Sequence, residues 1–471
     1  MEESHDRFMT EQIERIKSKL VEAKETDENL KVFGASSHKY TLGEVVSKED
    51  IVKFETKYNV GLPDCYKAFL MNVGNAGESF SSSAAGPFYG IYPLGENVDE
   101  FIYENTEEYL KEDCKLYPKM ADDFWMELTK NIDSNDDISD KDFDLELGKI
   151  FSGILPIGSQ GCTYYHALVL NGEFKGRVIN VDSERCKPRF SYELNFLDWY
   201  ERWLDEVISG DLIKDTPSWF GYTMGGSASD ILKIYFSTTE YEVKIDCLAG
   251  ILNKQKLDPE VLDLIEEEYK GSNGEIQKTL LQILTKVDYE RAYPYLLDFT
   301  KESLLDVFQF VFWYAKDKSS DWLKVIESNI GKINNEETFR FCTYLLKEMN
   351  IDYARFIVPF TVNESENIRI SAYYSLGQLS NKSQYIDVFI AGLSDSSNIV
   401  IHSVLQALDG VEDKRLLQCY KFIAEKFPKE QDCILVNLNH RLKPFGLSNT
   451  TIKNIDIDVY CKGKKWFQFW K

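Results

Sequence analysis

Histidine, cysteine and serine are the side chains through which this chain could carry out nucleophilic or metal chemistry. The sequence has five histidines and nine cysteines, and none forms an HExxH motif or a Cys/His cluster with metal-ligand spacing. Cys162 and His166 are four residues apart on a predicted strand, which places both on one face but selects no metal. Ser159 lies in Gly158-Ser159-Gln160-Gly161, where Ile157 occupies the first glycine position of a nucleophile elbow. We therefore predict a tight turn there, with no catalytic residue and no metal site.

Carboxylates are concentrated in residues 96–148, where Asp and Glu recur between aromatic side chains such as Tyr103 and Trp125. Paired carboxylates can act in acid–base catalysis, but that role needs buried neighbours that shift their pKa values. The segment also lacks the Asp-x-Asp-x-Asp-Gly loop of an EF-hand calcium site. We therefore interpret it as an acidic helical insert, and we expect no cofactor.

The charge of the whole chain limits its partners. Its 471 residues include 78 acidic and 54 basic side chains, a formal net charge of −24. Such a field repels phosphate backbones and anionic membranes, so we expect neither direct nucleic-acid binding nor membrane association, whereas a basic protein would be attracted. Solubility alone is the other interpretation of this charge. The absence of a secretory signal, of a long apolar run and of CxxC pairs predicts a cytoplasmic protein with reduced thiols.

The elements that would position these residues alternate between helices and strands over residues 1–210. Residues 1–39 contain a charged N-terminal helix, and a second helix begins at Ser47 with a Ser-x-x-Asp capping pattern. Gly61 and Pro63 separate it from a third helix. The predicted strands are 88–94, 154–157, 164–170 and 176–181, the last two joined through Asn171-Gly172, and a helix at 196–204 follows. This order predicts an α+β domain in which a mixed antiparallel sheet packs against helices.

Residues 211–228 contain Pro217 and a Gly-Ser-rich run, and they are predicted to be a linker. Beyond it, residues 367–377 and 398–408 resemble each other at a period of 31 residues, which is typical of helical repeats. The sequence therefore predicts an all-α, HEAT-like helical-repeat domain over residues 229–471. Residues 462–471 form a basic, aromatic tail. We favour its docking on the repeats over nucleic-acid or membrane contact, which the net charge opposes.

The N-terminal half resembles the SUKH superfamily over about residues 40–210. The resemblance rests on a series of motifs in the family's order: Ile51-x-x-Phe54-Glu55, Gly61-Leu62-Pro63-x-x-Tyr66-x-x-Phe69-Leu70, Asn72-Val73-Gly74-Asn75, Gly90-Ile91-Tyr92-Pro93-Leu94, Ile157 to Gly161, Gly176-Arg177-Val178 and Phe196-Leu197-x-Trp199. The sequence departs from the family at Asn72–Asn75, where Asn-Gly-Gly is usual, and at 96–148, which is longer than the usual connection.

The resemblance implies a protein-binding role without catalysis. Bacterial members are mostly immunity proteins that bind and neutralise toxin domains, often nucleases, and eukaryotic relatives act as regulatory scaffolds. We therefore predict a non-enzymatic immunity-type protein that binds a basic toxin domain, or alternatively a scaffold that joins two partners through its SUKH and repeat domains. We predict that five carboxylates of the insert bind the partner: Asp99, Glu100, Glu104, Glu107 and Glu108. Trp199 and Trp203 are interpreted as core residues with indole N–H groups near the surface, and a binding anchor is the alternative.

Overall fold

The computed structural model describes residues 2–79, 81–135, 137–213, 220–427 and 432–462. The chain divides into two compact units, Met1–Leu280 and Leu281–Lys471. Residues 463–471 of the basic, aromatic tail lie outside the described residues, as does Pro217 of the predicted linker. The domain boundary predicted at 211–228 therefore stays a prediction.

The first unit combines one sheet with eleven complete helices in its described part. Its helices are α1 (Glu2–Thr26), α2 (Ala35–His38), α3 (Lys48–Tyr58), α4 (Asp64–Asn72), α5 (Thr106–Leu110), α6 (Asp122–Asp133), α7 (Asp140–Ile150), α8 (Phe196–Ile208), α9 (Ala228–Ser237), α10 (Tyr241–Asn253) and α11 (Pro259–Gly271). Its strands are β1 (Ile154–Gly161), β2 (Tyr164–Val169), β3 (Val178–Asp182) and β4 (Arg189–Phe190), in the order β1-β2-β3-β4. Every strand pair is antiparallel, so the predicted α+β fold is confirmed and its sheet is antiparallel throughout.

The sheet separates two hydrophobic cores, because successive side chains of a strand point to opposite faces. On β2, Leu168 belongs to one core, whereas Ala167 and Val169 belong to the other. The apolar faces of α1, α3, α4 and α8 fill the first core. Side chains of residues 101–151 fill the second. The acidic insert is therefore one layer of a three-layer domain.

Helix starts follow the capping chemistry of the sequence. The Ser47 side chain accepts a hydrogen bond from the backbone N–H of Asp50, so the predicted start of α3 is observed.

On α8, Trp199 and Trp203 are fully buried, as the core interpretation predicted. Their indole nitrogens are also buried, and they have no hydrogen-bond partner among the described residues, so the predicted surface position of these groups is wrong.

Two local predictions in the sheet region are wrong. Residues 158–161 are not a turn: β1 continues to Gly161 with irregular register, and the turn follows at Cys162, whose φ is +51°. Glycine at position 158 is required by close packing, since a Cβ there would lie 2.3 Å from the carbonyl oxygen of Gly90. Residues 88–94 are not a regular strand, because Phe88 and Gly90 both have positive φ values.

The second unit contains only helices in its described part. After α12 (Gly274–Val287), which includes the boundary between the units, the α-helices are α13 (Tyr289–Phe299), α14 (Leu304–Tyr314), α15 (Leu323–Asn329), α16 (Glu336–Glu348), α17 (Ala354–Ile357), α18 (Glu366–Gly377), α19 (Ile386–Gly392), α20 (Asn398–Ala407), α21 (Leu417–Lys426), α22 (Asp432–Leu442), α23 (Asn449–Lys453) and α24 (Ile457–Lys462). Short 3-10 helices cover Lys316–Trp322, Ile330–Lys332, Val358–Val362, Lys382–Tyr385, Lys414–Leu416 and Lys443–Phe445.

The two similar sequence segments form α18 and α20, which pack directly against each other. Ser365 and Ser397 cap these helices in the same way, each through a side chain that accepts a backbone N–H of the first turn. The contact is close, since a Cβ at Gly377 would lie 2.7 Å from the Cα of Ala407. Packing of α14 on α16, α16 on α18 and α20 on α22 continues the series. This arrangement is consistent with a helical-repeat domain.

Candidate protein-binding surface

The acidic insert carries most of the charge of the chain. Residues 96–148 contain 18 acidic and five basic side chains. Over the first unit, residues 1–280, there are 54 acidic and 30 basic side chains, whereas residues 281–471 contain 24 of each. The net charge of −24 therefore belongs entirely to the first unit, and its strongest local source is the insert.

Apolar anchors hold this charged segment on the sheet. Phe101 and Ile102 precede α5 and are 2% and 1% exposed, and both belong to the core that also contains Ile179 of β3. Further along, α5 and α7 approach so closely that a Cβ at Gly148 would lie 2.2 Å from the ring of Tyr109. The Tyr109 hydroxyl also donates a hydrogen bond to a backbone carbonyl of α7. These contacts hold α5, α7 and the segment before α5 against the core, with Asp99, Glu104 and Glu107 exposed at the surface.

The five predicted partner-binding residues fall into two groups. Asp99, Glu104 and Glu107 are exposed, and none of them forms an ion pair with any residue that the structure describes. Glu100 and Glu108 already have partners: Glu100 accepts a hydrogen bond from the Tyr165 hydroxyl, and Glu108 is paired with a lysine one helical turn later. The structure therefore leaves three of the five carboxylates available to a basic partner.

Nearby titratable groups respond to these carboxylates. Burial, assisted by the hydrogen bond to Glu100, raises the pKa of Tyr165, which keeps this hydroxyl protonated as the donor. A hydrogen bond with Tyr58 and, more weakly, the charge of Glu107 raise the pKa of Lys57 on α3. The negative potential of α5 thus reaches the neighbouring helix.

Several other acidic residues of the insert are already neutralised by neighbours. The ion pairs are Asp122–Lys187, Glu127–Lys130, Asp133–Arg185 and Glu146–Lys149. The pairs of Asp122 and Asp133 join α6 to the loop between β3 and β4, whereas the pair of Glu127 lies within α6 and that of Glu146 within α7. Other carboxylates of the insert, such as Asp123 and Asp140, are exposed and form no ion pair within the described residues, so unpaired charge is spread along the insert and includes the group near α5.

Tyr103 is a surface residue that the sequence interpretation did not assign to binding. Its side chain is 56% exposed, and it lies between the buried Ile102 and the exposed Glu104. An aromatic side chain held in solvent among carboxylates offers a partner an apolar contact next to a charged one. Its signal in the sequence was an aromatic residue directly between an apolar anchor and an acid.

Cys162, His166 and Ser159, which were considered for chemistry, do not form a common site. Cys162 is exposed in a turn, whereas His166 is completely buried between the rings of Phe88 and Trp199, so the two are not on one face. Burial lowers the pKa of His166 to about 3, which leaves the ring neutral. The Ser159 hydroxyl accepts a hydrogen bond from the backbone of β1. No group of three or more potential metal ligands occurs among the described residues.

Comparison with known families agrees with the fold. Residues 45–202 match the SMI1 / KNR4 family (SUKH-1), about a third of the chain. This family consists generally of non-enzymatic immunity and regulatory domains, and its members typically bind other proteins. No curated protein matches the chain. Within the described residues, no helix has the length and apolar character needed to cross a membrane.

Proposed function

We propose that this chain, whose residues 45–202 form an SMI1/KNR4-family (SUKH-1) domain, is a non-enzymatic immunity-type protein. It binds a cognate bacterial toxin in the cytosol, a basic nuclease domain, and neutralises the toxin by covering its cationic cleft. The observation that carries this proposal is the confinement of the net charge of −24 to residues 1–280, with its densest part in the acidic insert, residues 96–148.

Two physical effects act on the two rate constants of binding. The unpaired carboxylates Asp99, Glu104 and Glu107 steer a basic partner toward the insert, which raises the association rate. Tyr103 then buries its ring in the partner and slows dissociation, since exposed tyrosines are frequent hot spots of protein interfaces. Charge therefore sets how fast the complex forms, and the aromatic contact sets how long it lasts.

The test of charge steering uses a toxin domain encoded beside the gene of this protein. Replacing Asp99 by Asn and Glu104 and Glu107 by Gln should lower the association rate by about tenfold at low salt, because steering raises such rates by one to three orders of magnitude. The difference should shrink at high salt, where exposed charges are screened. Surface-immobilised binding at two salt concentrations measures both rates.

A matched variant controls for total charge. Glu260, Asp263 and Glu267 are exposed on α11, and their replacement by the corresponding amides removes the same charge elsewhere in the first unit. This control should bind at nearly the wild-type rate. Equal rates for the insert variant, the control and the wild type would reject the insert as the binding face. Replacing Tyr103 by Ala should mainly accelerate dissociation.

A regulatory scaffold is the second candidate function, and the neutrality of residues 281–471 favours it. A neutral helical-repeat unit beside an acidic domain offers a second, different surface. Trp313 and Tyr374 are 49% and 54% exposed on α14 and α18. If the scaffold is correct, replacing both by Ala in the full chain should remove one partner and retain the other. Full protection against the toxin by this variant would favour the immunity function.

A further inference from the structure

A cleft beside the sheet has walls made largely of aromatic rings. It measures about 580 Å³ and is lined by Phe33, Phe88, Tyr164 and Tyr222 together with residues from β3 and β4. Volumes of about 300–1,000 Å³ with mostly apolar walls are typical of small-ligand sites. The cleft lies within the first unit, and none of the five predicted partner-binding carboxylates lines it.

The floor of the cleft is polar but internally satisfied. The Tyr222 hydroxyl donates to Oε1 of Gln160 at 2.9 Å, and Nε2 of Gln160 donates to Oδ1 of Asn180 at 2.8 Å. The side-chain amide of Asn180 in turn donates to the carbonyl of Gly221 at 3.3 Å. Because these groups form hydrogen bonds with one another, they hold Tyr222 in the wall of the cleft. The polar groups at the rim are then the ones that remain to bind a ligand.

The rim carries a run of cations in an otherwise acidic unit. Arg185 and Lys187 lie in the loop after β3, and Arg189 is the first residue of β4. Arg185 is paired with Asp133, and Lys187 with Asp122. Arg189 lines the cleft and forms no ion pair within the part of the chain that the structure describes.

One carboxylate also lines the cleft. Asp182 is only 4% exposed, and its Oδ1 accepts a hydrogen bond from the backbone N–H of Glu184 at 3.0 Å. Lys187 is already paired with Asp122, so Arg189 is the cation of the lining that remains for an anion.

The backbone is strained at one residue that lines this cleft and at one that precedes the lining residue Cys186. Phe88 and Arg185 have φ values of +54° and +68°, in the left-handed region that side chains with a Cβ rarely adopt. The Phe88 turn is possible because residue 34 is glycine, since a Cβ at Gly34 would lie 2.0 Å from the carbonyl oxygen of Phe88. Strained residues of this kind persist where the surrounding structure imposes them, often beside ligand sites.

We propose that this cleft binds an aromatic carboxylate. Its ring lies among Phe33, Phe88 and Tyr222, and its carboxylate pairs with Arg189, whose planar fork of N–H donors matches the two oxygens. The same chemistry is offered by a free small molecule and by the C-terminal residue of a peptide ending in phenylalanine. This site is separate from the acidic face of the proposed function and does not depend on it.

The test compares charged and neutral forms of the same ring. In isothermal titration calorimetry with the full chain, 1-naphthoate should bind saturably with one site, and 1-naphthamide should bind at least about tenfold more weakly, since a charge-assisted pair is lost. The tripeptide Gly-Gly-Phe with a free or amidated C-terminus forms the second arm. Saturable binding of naphthoate alone identifies a small-molecule site, and binding of the free-acid peptide identifies a peptide terminus; either supports the proposal.

Variants assign the binding to the cleft. Replacing Arg189 by Gln should weaken naphthoate or free-acid peptide binding by about tenfold or more. The matched control Arg185→Gln removes the same charge from the preceding loop, outside the lining, and should change affinity less than twofold. Cys186→Phe places a ring in the cleft at an exposed position and should abolish binding. Absence of saturable binding by both acids, or equal affinity of wild type, Arg189→Gln and Cys186→Phe, would overturn the proposal.

Discussion

Replacing Arg202 by Met should destabilise the first unit more than any surface charge change, because this guanidinium is buried in an ion network. Its side chain is 7% exposed and donates to Glu193 at 2.8 Å and to Glu206 at 2.9 Å. Lys254, the residue after α10, extends the network, because its Nζ lies 3.6 Å from Glu206 and 3.2 Å from Asp211. The network therefore joins the last helix of the SUKH-1 region to residues that follow it.

The magnitude follows from what the substitution leaves behind. Met fills much of the volume of Arg202, so the main loss is electrostatic: the carboxylates of Glu193 and Glu206, each 11% exposed at the side chain, lose their shared cation. Breaking a buried pair by removing one partner costs about 3–5 kcal/mol. At roughly 2–3 °C per kcal/mol for a unit of this size, the melting temperature should fall by about 6–15 °C.

Chemical denaturation of the full chain and of Arg202→Met measures the difference, with calorimetry to resolve the transition of the first unit. Arg15→Met is the matched control: Arg15 also pairs with a glutamate, Glu201, but it is 54% exposed, so its loss should cost about 1 kcal/mol or less. Replacing Glu193 and Glu206 by Gln in the Arg202→Met background should restore part of the stability. If Arg202→Met and Arg15→Met cost the same, the reasoning is wrong.

Three further predictions concern pH, boundaries and the rejected chemistry. Burial lowers the pKa of His38 to about 4 and that of His166 to about 3, so below about pH 6.5 the unfolded chain binds protons that the folded chain does not. The free energy of unfolding should therefore fall by roughly 2 kcal/mol per histidine from pH 7 to 4.5. Urea unfolding measured across this pH range should lose the share of each histidine in the variants His38→Gln and His166→Gln. Fragment 1–280 should melt cooperatively, whereas fragment 1–210 should not, since the latter lacks Tyr222 and Lys254; equal cooperativity by calorimetry would instead support the predicted linker at 211–228. Ser159→Ala and Cys162→Ala should leave toxin protection intact, and loss of protection by a folded, partner-binding variant would reveal chemistry at these residues.

The regular parts of the fold were predictable because their signals are local. A Ser-x-x-Asp cap marks the start of α3, two tyrosines begin β2, and three β-branched residues mark β3. The similarity of residues 367–377 and 398–408 identified two helices that pack as neighbours. Each of these predictions depends on residues within one turn, one strand or one repeat.

The parts that sequence missed depend on distant partners. The turn predicted at 158–161 is a strand, because Gly158 accommodates the backbone of Gly90, 68 positions earlier. Glu100 accepts a hydrogen bond from the hydroxyl of Tyr165 on β2, a contact that no local pattern indicates, and its predicted role in partner binding stays a prediction. The ion network around Arg202 reaches Lys254 through Glu206, so no local pattern marks it. Long-range contacts of this kind leave no periodic trace in the sequence.

The construction of the insert separates binding from stability. Its buried side chains, such as Phe101, Trp125 and Leu147, fix the layer on the sheet, and its free carboxylates lie outside that contact. Exposed charges contribute little to folding free energy, whereas each large buried side chain contributes about 1.5–3 kcal/mol. Changes at Glu104 or Glu107 therefore alter the potential that a partner meets without disturbing the layer beneath. Under the proposed function, charge substitutions on this surface change the association rate of a basic partner while the fold is retained.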